Sequence, residues 1–382
     1  MNKKLMFLPA ISVLLFAVPS LAAEVRFKKI VIDKTFRAEG VATGDVNHDG
    51  EIDVLAGDVW YAGPGPDWKM HEVRTLGQYD GSKSYSQCFI NFAQDVNGDG
   101  WIDSIIIGYP GDPCWWYENP KNKPGHWKKR MIVNSACNET PIFVDIRGNG
   151  KRVPVFAVRP EGLMAWFSKP KDLDGLWDMH IIAGPDAPGT KKYSHGLGAG
   201  DVNSDGRTDV LVKEGWWQAP GDPAKNNWKF HPANLGPDCA DLLVYDVDND
   251  GDSDVITSSA HRYGMWWFEQ DGSEFKQHVI YDKFSQAHAM ILADINADGV
   301  KDIVTGKRYF AHQGKDPGGK EPAVLYWFEL RRTGKGPEFV PHKIDDDSGV
   351  GTQFEVRDMN QDKKLDIITS NKKGVHVFLQ LP

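Results

Sequence analysis

The chain has 382 residues, 53 Asp and Glu against 44 Lys and Arg, and a formal net charge of −9. An apolar fraction of 41% excludes a disordered chain, and the acidic balance argues against a nucleic-acid partner. With 39 Gly, 23 Pro and 14 Trp, the composition fits short strands and many turns better than helices.

Met1 to Ala22 reads as a secretory signal peptide. Lys3 and Lys4 form the basic start, Leu5 to Val18 an apolar run, and Ser20-Leu21-Ala22 a small-residue cleavage site. The run is short for a membrane anchor, and no other segment suffices to span a bilayer. The expectation is a secreted or periplasmic protein with one domain over residues 24–382. Four Cys (88, 114, 137 and 239) permit one or two disulfides in an oxidising compartment.

From here the chain repeats. Asp45-Val-Asn47-His-Asp49-Gly-Glu-Ile-Asp53 returns with ligand-type residues at Asp95, Asn97, Asp99 and Asp103. It returns again at Asp201, Asn203, Asp205 and Asp209, at Asp246, Asp248, Asp250 and Asp254, and at Asp294, Asn296, Asp298 and Asp302. A sixth copy, Asp358, Asn360, Asp362 and Asp366, has Lys363 where the others have Gly. A seventh, Asp145 to Val153, keeps Asp145 and Gly150 but not the remaining ligand positions. Each copy is followed by a β-branched strand, an aromatic strand such as Trp115-Trp-Tyr or Tyr326-Trp-Phe, and a fourth strand such as Trp68-Lys-Met-His. The fourth strand missing after the last copy is supplied by Phe27-Lys-Lys-Ile-Val-Ile32. The expected fold is therefore all-β, a seven-bladed propeller of four-stranded blades whose ring is closed by the N-terminal strand.

On these repeated Asp loops the chain resembles the FG-GAP/VCBS-type β-propellers, the repeat class of integrin α-subunit heads, over roughly Glu24 to Pro382. Oxygen ligands at positions 1, 3, 5 and 9, with Gly at 6 for the sharp turn, suit Ca²⁺ rather than Zn²⁺. Five structural Ca²⁺ ions are expected, a weaker sixth at Asp358 to Asp366, and none at Asp145 to Val153.

Function is expected on the opposite face. Six residues before the first Asp of each repeat stand Glu39, Phe89, Glu139, His195, Ala240, His288 and Thr352, at the start of the innermost strands. Loops on the same face carry Lys213, His261, Arg262, Lys307, Arg308, Tyr309 and His312, and the longest, Gly306 to Pro322, could form a partial lid. Convergent titratable groups of this kind mark binding or catalytic sites. This face is loosely similar to the propeller of the aldos-2-ulose dehydratase family. That resemblance implies a lyase or dehydratase acting on keto-sugars or uronic-type carbohydrates. His195, His288, His261 and Tyr309 would then be acid/base candidates. Arg262, Lys307, Arg308, His312, Lys213, Glu139 and Glu39 would bind substrate, and the His cluster could hold a further divalent metal. A non-catalytic glycan- or protein-binding propeller is the alternative. The outer-strand His (71, 180, 231, 278 and 342) recur at one frame position and are assigned to packing.

Overall fold

The computed structural model describes residues 24–65, 67–237 and 239–382, and the expected signal peptide lies outside them. Among the described residues the chain is built from 28 short strands and a single 3₁₀ turn at Ala311–Gly314. No helix of the described residues is long and apolar enough to cross a membrane.

The strands fold as antiparallel meanders that form a propeller-like ring. Ala42–Gly44, Asp53–Ala56, Val59–Tyr61 and Met70–Glu72 make one sheet, and Ile90–Gln94, Asp103–Ile107, Cys114–Glu118 and Lys128–Val133 the next. A third comprises Ile142–Val144, Val153–Val158, Leu163–Ser168 and Asp178–Ala183. A fourth comprises Ala287–Ala293, Asp302–Lys307, Leu325–Thr333 and Gly336–Asp345. In a fifth, Glu355–Arg357, Asp366–Asn371 and Gly374–Gln380 are completed by the N-terminal Phe27–Asp33, with Phe27 opposite Gln380. The two ends of the chain thus close one sheet, as the repeat frame requires.

The remaining eight strands form one continuous sheet. Two meanders are joined where Gly198–Gly200 pairs in parallel with Cys239–Tyr245. Glycine is the reason two innermost strands come this close. A Cβ on Gly198 would lie 2.2 Å from the Leu242 carbonyl oxygen, and one on Gly200 2.5 Å from Val244 Cβ.

The Asp loops share one geometry. The first Asp accepts backbone N–H bonds from positions 5 and 6, as Asp45 does from Asp49 and Gly50, and Asp294 from Asp298 and Gly299, while Asp246 accepts from Asn249 and Gly251 at positions 4 and 6. The copy without a full ligand set does the same: Asp145 accepts from Asn149 and Gly150. Position 6 needs the left-handed region, and Lys363 adopts it with φ of 69° where Gly50 has 90°. Position 4 is left-handed too, as at His48, Ser204, Asn249, Ala297 and Gln361, a requirement that the mixed residues there conceal.

The ninth position carries the fold. Asp53, Asp103, Asp209, Asp254, Asp302 and Asp366 are buried, and each accepts two backbone N–H bonds. One comes from the second loop residue, as from Val46 or Ile295. The other comes from the end of the aromatic strand or just beyond it, as from Gly63, Leu330 or Gln380. Each carboxylate therefore pins its loop to its own sheet.

Outside, a tryptophan of the third strand stacks on a histidine of the fourth in five four-stranded meanders: Trp60 on His71, Trp166 on His180, Trp216 on His231, Trp267 on His278 and Trp327 on His342. Arg130 over Trp116 takes the same place in a sixth. The packing assignment of these His is explained by this ladder, and Trp116, Trp216, Trp217 and Trp267 are core residues. Cys88, Cys114 and Cys137 are buried free thiols, and buried Cys239 donates its thiol to Leu235 O, so the possible disulfides are not formed.

Two stability measurements follow. Asp302→Ala orphans the N–H groups of Ile295 and Leu330 and is expected to cost about 2–5 kcal/mol in urea unfolding, whereas exposed Asp271→Ala costs under about 0.5 kcal/mol. His376 is buried, and desolvation with the nearby Lys29 charge lowers its imidazole to about 4. Its contribution is full above pH 6.5 and lost as pH falls toward 4. Relative to His376→Leu, wild-type stability should fall over that window by up to about 3 kcal/mol.

Candidate functional site

The innermost strands begin at the end of the ring away from the Asp loops, and backbone bonds between neighbouring sheets fix their starts. Glu39 N–H donates to Cys88 O (2.8 Å), Glu139 N–H to Ser194 O (3.0 Å) and Thr352 N–H to Glu39 O (3.0 Å). These bonds hold the residues six places before each Asp loop around one axis. The expected convergence of Glu39, Glu139, His195 and His288 is found.

What they converge on is Arg308. Its backbone N–H donates to Gln286 O, and its side chain, 1% exposed, reaches the centre of the ring. Nη1 donates to Glu139 Oε1 and lies 3.0 Å from His288 Nε2, while Nε lies 3.5 Å from Glu39 Oε2. The guanidinium also covers the rings of Tyr85 and Phe89, 5.2 Å from each centroid. Arg308 is thus the buried keystone of this face rather than a free substrate ligand. Several polar atoms around it have no protein partner: Arg308 Nη2, Glu39 Oε1 and His288 Nδ1.

Electrostatics follow from this placement. Burial alone would raise the Glu139 carboxyl, but Arg308 and the imidazole of His195 outweigh it and hold it well below the carboxylate range. Burial and the Arg308 charge push His288 well below the usual imidazole value. Burial, with His195 nearby, lowers His261 to about 4, so its ring is neutral at pH 7. Desolvation raises half-buried Asp241 to about 7, and its carboxylate accepts the Met290 N–H.

Moving outward, His195 Nε2 lies 3.0 Å from Glu139 Oε2, and the ring is 14% exposed. The rings of His261 and His288 stand 4.7 and 5.1 Å from it. His261 and His312 both direct Nδ1 at Asp316, at 3.3 and 3.0 Å from Oδ2. The Gly306–Pro322 loop that supplies His312 and Asp316 is tied across the ring. The His312 N–H donates to Tyr85 Oη, and Lys372 Nζ donates to Phe310 O. The cluster therefore grades from a buried Arg308–Glu139–His288 floor to half-exposed His312.

Four sequence candidates stay outside this cluster. Lys307 is fully buried, with Nζ donating to Ser285 Oγ and Gly318 O near Glu321, and anchors the long loop. Tyr309 lies under the Lys373 ammonium and beside Phe310. Lys213 donates to Pro237 O, and Arg262 is exposed to solvent.

Other residues complete the site. Asp316 stands four residues after His312, a spacing that could have drawn attention to it. Two residues before His195 in the chain, Tyr193 (44% exposed) forms an edge-to-face pair with Tyr109 (38% exposed) at 5.6 Å, extended by Tyr85 and Phe89. Lys192 Nζ lies 4.9 Å from the Tyr193 centroid. An exposed aromatic wall with a cation beside an imidazole–carboxylate pair suits a polar ring-shaped ligand, particularly an anionic one. Elsewhere, a cavity of about 820 Å³ opens among the Asp loops, but its lining includes no His other than His48, which stacks on Trp101.

A family model described as an FG-GAP-like repeat matches residues 246–305. No curated protein sequence matches the chain. Among solved structures, BBS1N in complex with ARL6DN has a TM-score of 0.52 at 10% identity, covering 92% of this chain and 94% of that one. That likeness is one of fold. An Agrocybe aegerita lectin described for recognition of non-reducing terminal N-acetylglucosamine has a TM-score of 0.48 at 15% identity, covering 94% and 86%. A Bacillus licheniformis rhamnogalacturonan lyase has a TM-score of 0.45 at 11% identity, covering 92% and 75%.

Removing Arg308 tests the keystone. Arg308→Met strands two buried carboxylates and is expected to destabilise the fold by about 3–5 kcal/mol. Adding Glu139→Gln should recover part of that loss, so a double-mutant cycle by urea unfolding should be strongly non-additive.

Proposed function

We propose that this chain is an exported seven-bladed propeller that acts on carbohydrate by abstracting a proton next to a carbonyl. The blade count takes the eight-stranded sheet as two blades fused at Gly198–Gly200. The observation that carries the functional reading is the His195–Glu139 pair, backed by Arg308 and flanked by the Tyr109–Tyr193 wall.

Each group has a task. Tyr193 and Tyr109 stack on the sugar ring, and Lys192 favours a carboxylate or enolate. Glu139, kept ionised by Arg308, orients the His195 imidazole and stabilises the imidazolium formed when its other nitrogen takes the C–H proton. The C–H electron pair becomes an enolate, then a C=C bond as the β C–O bond breaks, and the departing oxygen takes the proton back from the His195 imidazolium, which restores the neutral base. His288, buried and held neutral, fixes the floor. Tyr309 and Lys307, once acid/base and binding candidates, have no part in this arrangement.

A second reading has its own support. The tyrosine wall is the most exposed aromatic surface of the site and suffices for sugar binding without turnover. A panel of oligosaccharides and keto-sugars separates the two. The catalytic reading expects ultraviolet absorbance from an unsaturated product, a rate loss of about 10²–10⁴-fold for His195→Ala, and mainly a KM increase for Tyr193→Ala. Product formation unchanged in His195→Ala overturns it. Saturable glycan binding lost in Tyr193→Ala, with no product, establishes the binding reading instead.

Calcium belongs to the same proposal. Asp246, Asp248 and Asp250 bring three ligand oxygens within 4.8 Å of one another. In six loops the buried ninth Asp has backbone N–H partners but no cationic side chain among the described residues, so a divalent ion beside it would offset its desolvation. Chelation with EGTA is expected to lower the melting temperature, with recovery on adding Ca²⁺ but not equimolar Zn²⁺. An unchanged melting curve would remove calcium from the fold.

A further inference from the structure

We propose that His261, His312 and Asp316 bind one divalent transition-metal ion, and that this ion fastens the Gly306–Pro322 loop to the rest of the face. The site needs neither the catalytic nor the calcium reading, and its test reads binding directly.

The three ligand atoms already lie within 4.8 Å of one another. His261 Nδ1 is 3.3 Å from Asp316 Oδ2, and His312 Nδ1 is 3.0 and 3.1 Å from the two carboxylate oxygens. Ligands about 2.0–2.1 Å from a tetrahedral ion are separated by about 3.3 Å, so little movement is needed. Two imidazoles and one carboxylate select zinc, cobalt or manganese-type ions over Ca²⁺ or Mg²⁺, which prefer oxygen alone.

A second observation points the same way. Gln286 is fully buried behind Asp316, donates Nε2 to Asp316 Oδ2 at 3.0 Å, and has no partner for Oε1. An amide oriented on a ligating carboxylate is a typical outer-sphere support. Half-exposed His312 (49%) gives an ion a route in from solvent. The neighbouring group of Glu139, His195 and His261 is a poorer choice, because Arg308 already occupies the Glu139 carboxylate.

The ion would join separate parts of the chain. His261 stands in the turn between Asp254–Ser259 and Tyr263–Asp271, whereas His312 and Asp316 belong to the long loop. With the ion bound, that loop is held beside His195; without it, the same side chains keep only the hydrogen bonds that His261, His312 and Gln286 direct at Asp316.

The test is titration of the untagged full chain with Co²⁺ in excess Ca²⁺, followed by visible absorption and competition with Zn²⁺. One tight equivalent with a d–d band is expected. His261→Ala, His312→Ala and Asp316→Asn should each weaken it tenfold or more. His312 is half-exposed, so its variant should match wild type in metal-free thermal melts. Zn²⁺ should also slow proteolysis within residues 306–322 in wild type but not in His312→Ala. Co²⁺ binding that is absent in wild type, or that survives unchanged in His312→Ala and Asp316→Asn, overturns the proposal.

Discussion

A carboxylate removed from water must find donors, and six in this chain find the same two backbone amides. The ninth residue of each complete Asp loop links the second residue of its loop to the far end of the aromatic strand. Turn, second strand and third strand are thereby locked as one unit. Because the same bond recurs in six loops, it fixes where those innermost strands end, and so which side chains stand at their opposite ends. The 145–153 loop, with Val153 in place of Asp, keeps its turn through Asp145 and Asn149. The turn thus survives without the carboxylate, while the link to the strands is what the other six add.

The second constraint is a single buried cation. Arg308 fills the space that a ring of strand starts leaves on its axis, with Glu139, Glu39, His288 and two aromatic rings around it. A desolvated guanidinium needs such neighbours, and they in turn need its charge. With the axis closed, His195 stands on the remaining carboxylate oxygen of Glu139, and His261 packs against its ring. The two ends of the ring therefore use charge differently: carboxylates gather in the Asp loops, and imidazoles and cations gather opposite them. The net charge of −9 largely reflects the loops, which contain 17 Asp in their five complete copies.

Much of this was legible in the chain itself. The Asp-loop period, the strands after it and the N-terminal closing strand are local patterns, and the structure places strands there. The stacked Trp–His ladder likewise follows from two residues recurring at fixed offsets. Counting six residues back from each loop located Glu39, Glu139, His195 and His288, because strand length links the two ends of an innermost strand. Lys307, Arg308 and Tyr309 show where such counting stops. Three consecutive residues reach a loop anchor, the ring axis and the Lys373 ammonium, and only packing decides among those directions.

Sequence alone determined the repeat, the sheet frame, the Asp loops and the convergence of strand-start residues, since each rests on spacing along one strand or turn. Tertiary structure decided the pairings across sheets. Asp316 faces His261 from a loop 55 residues away, Arg308 meets Glu139 across 169 residues, and Tyr85 meets His312 across 227. No local pattern encodes those distances, because they depend on how far the ring turns before the chain returns to its own axis.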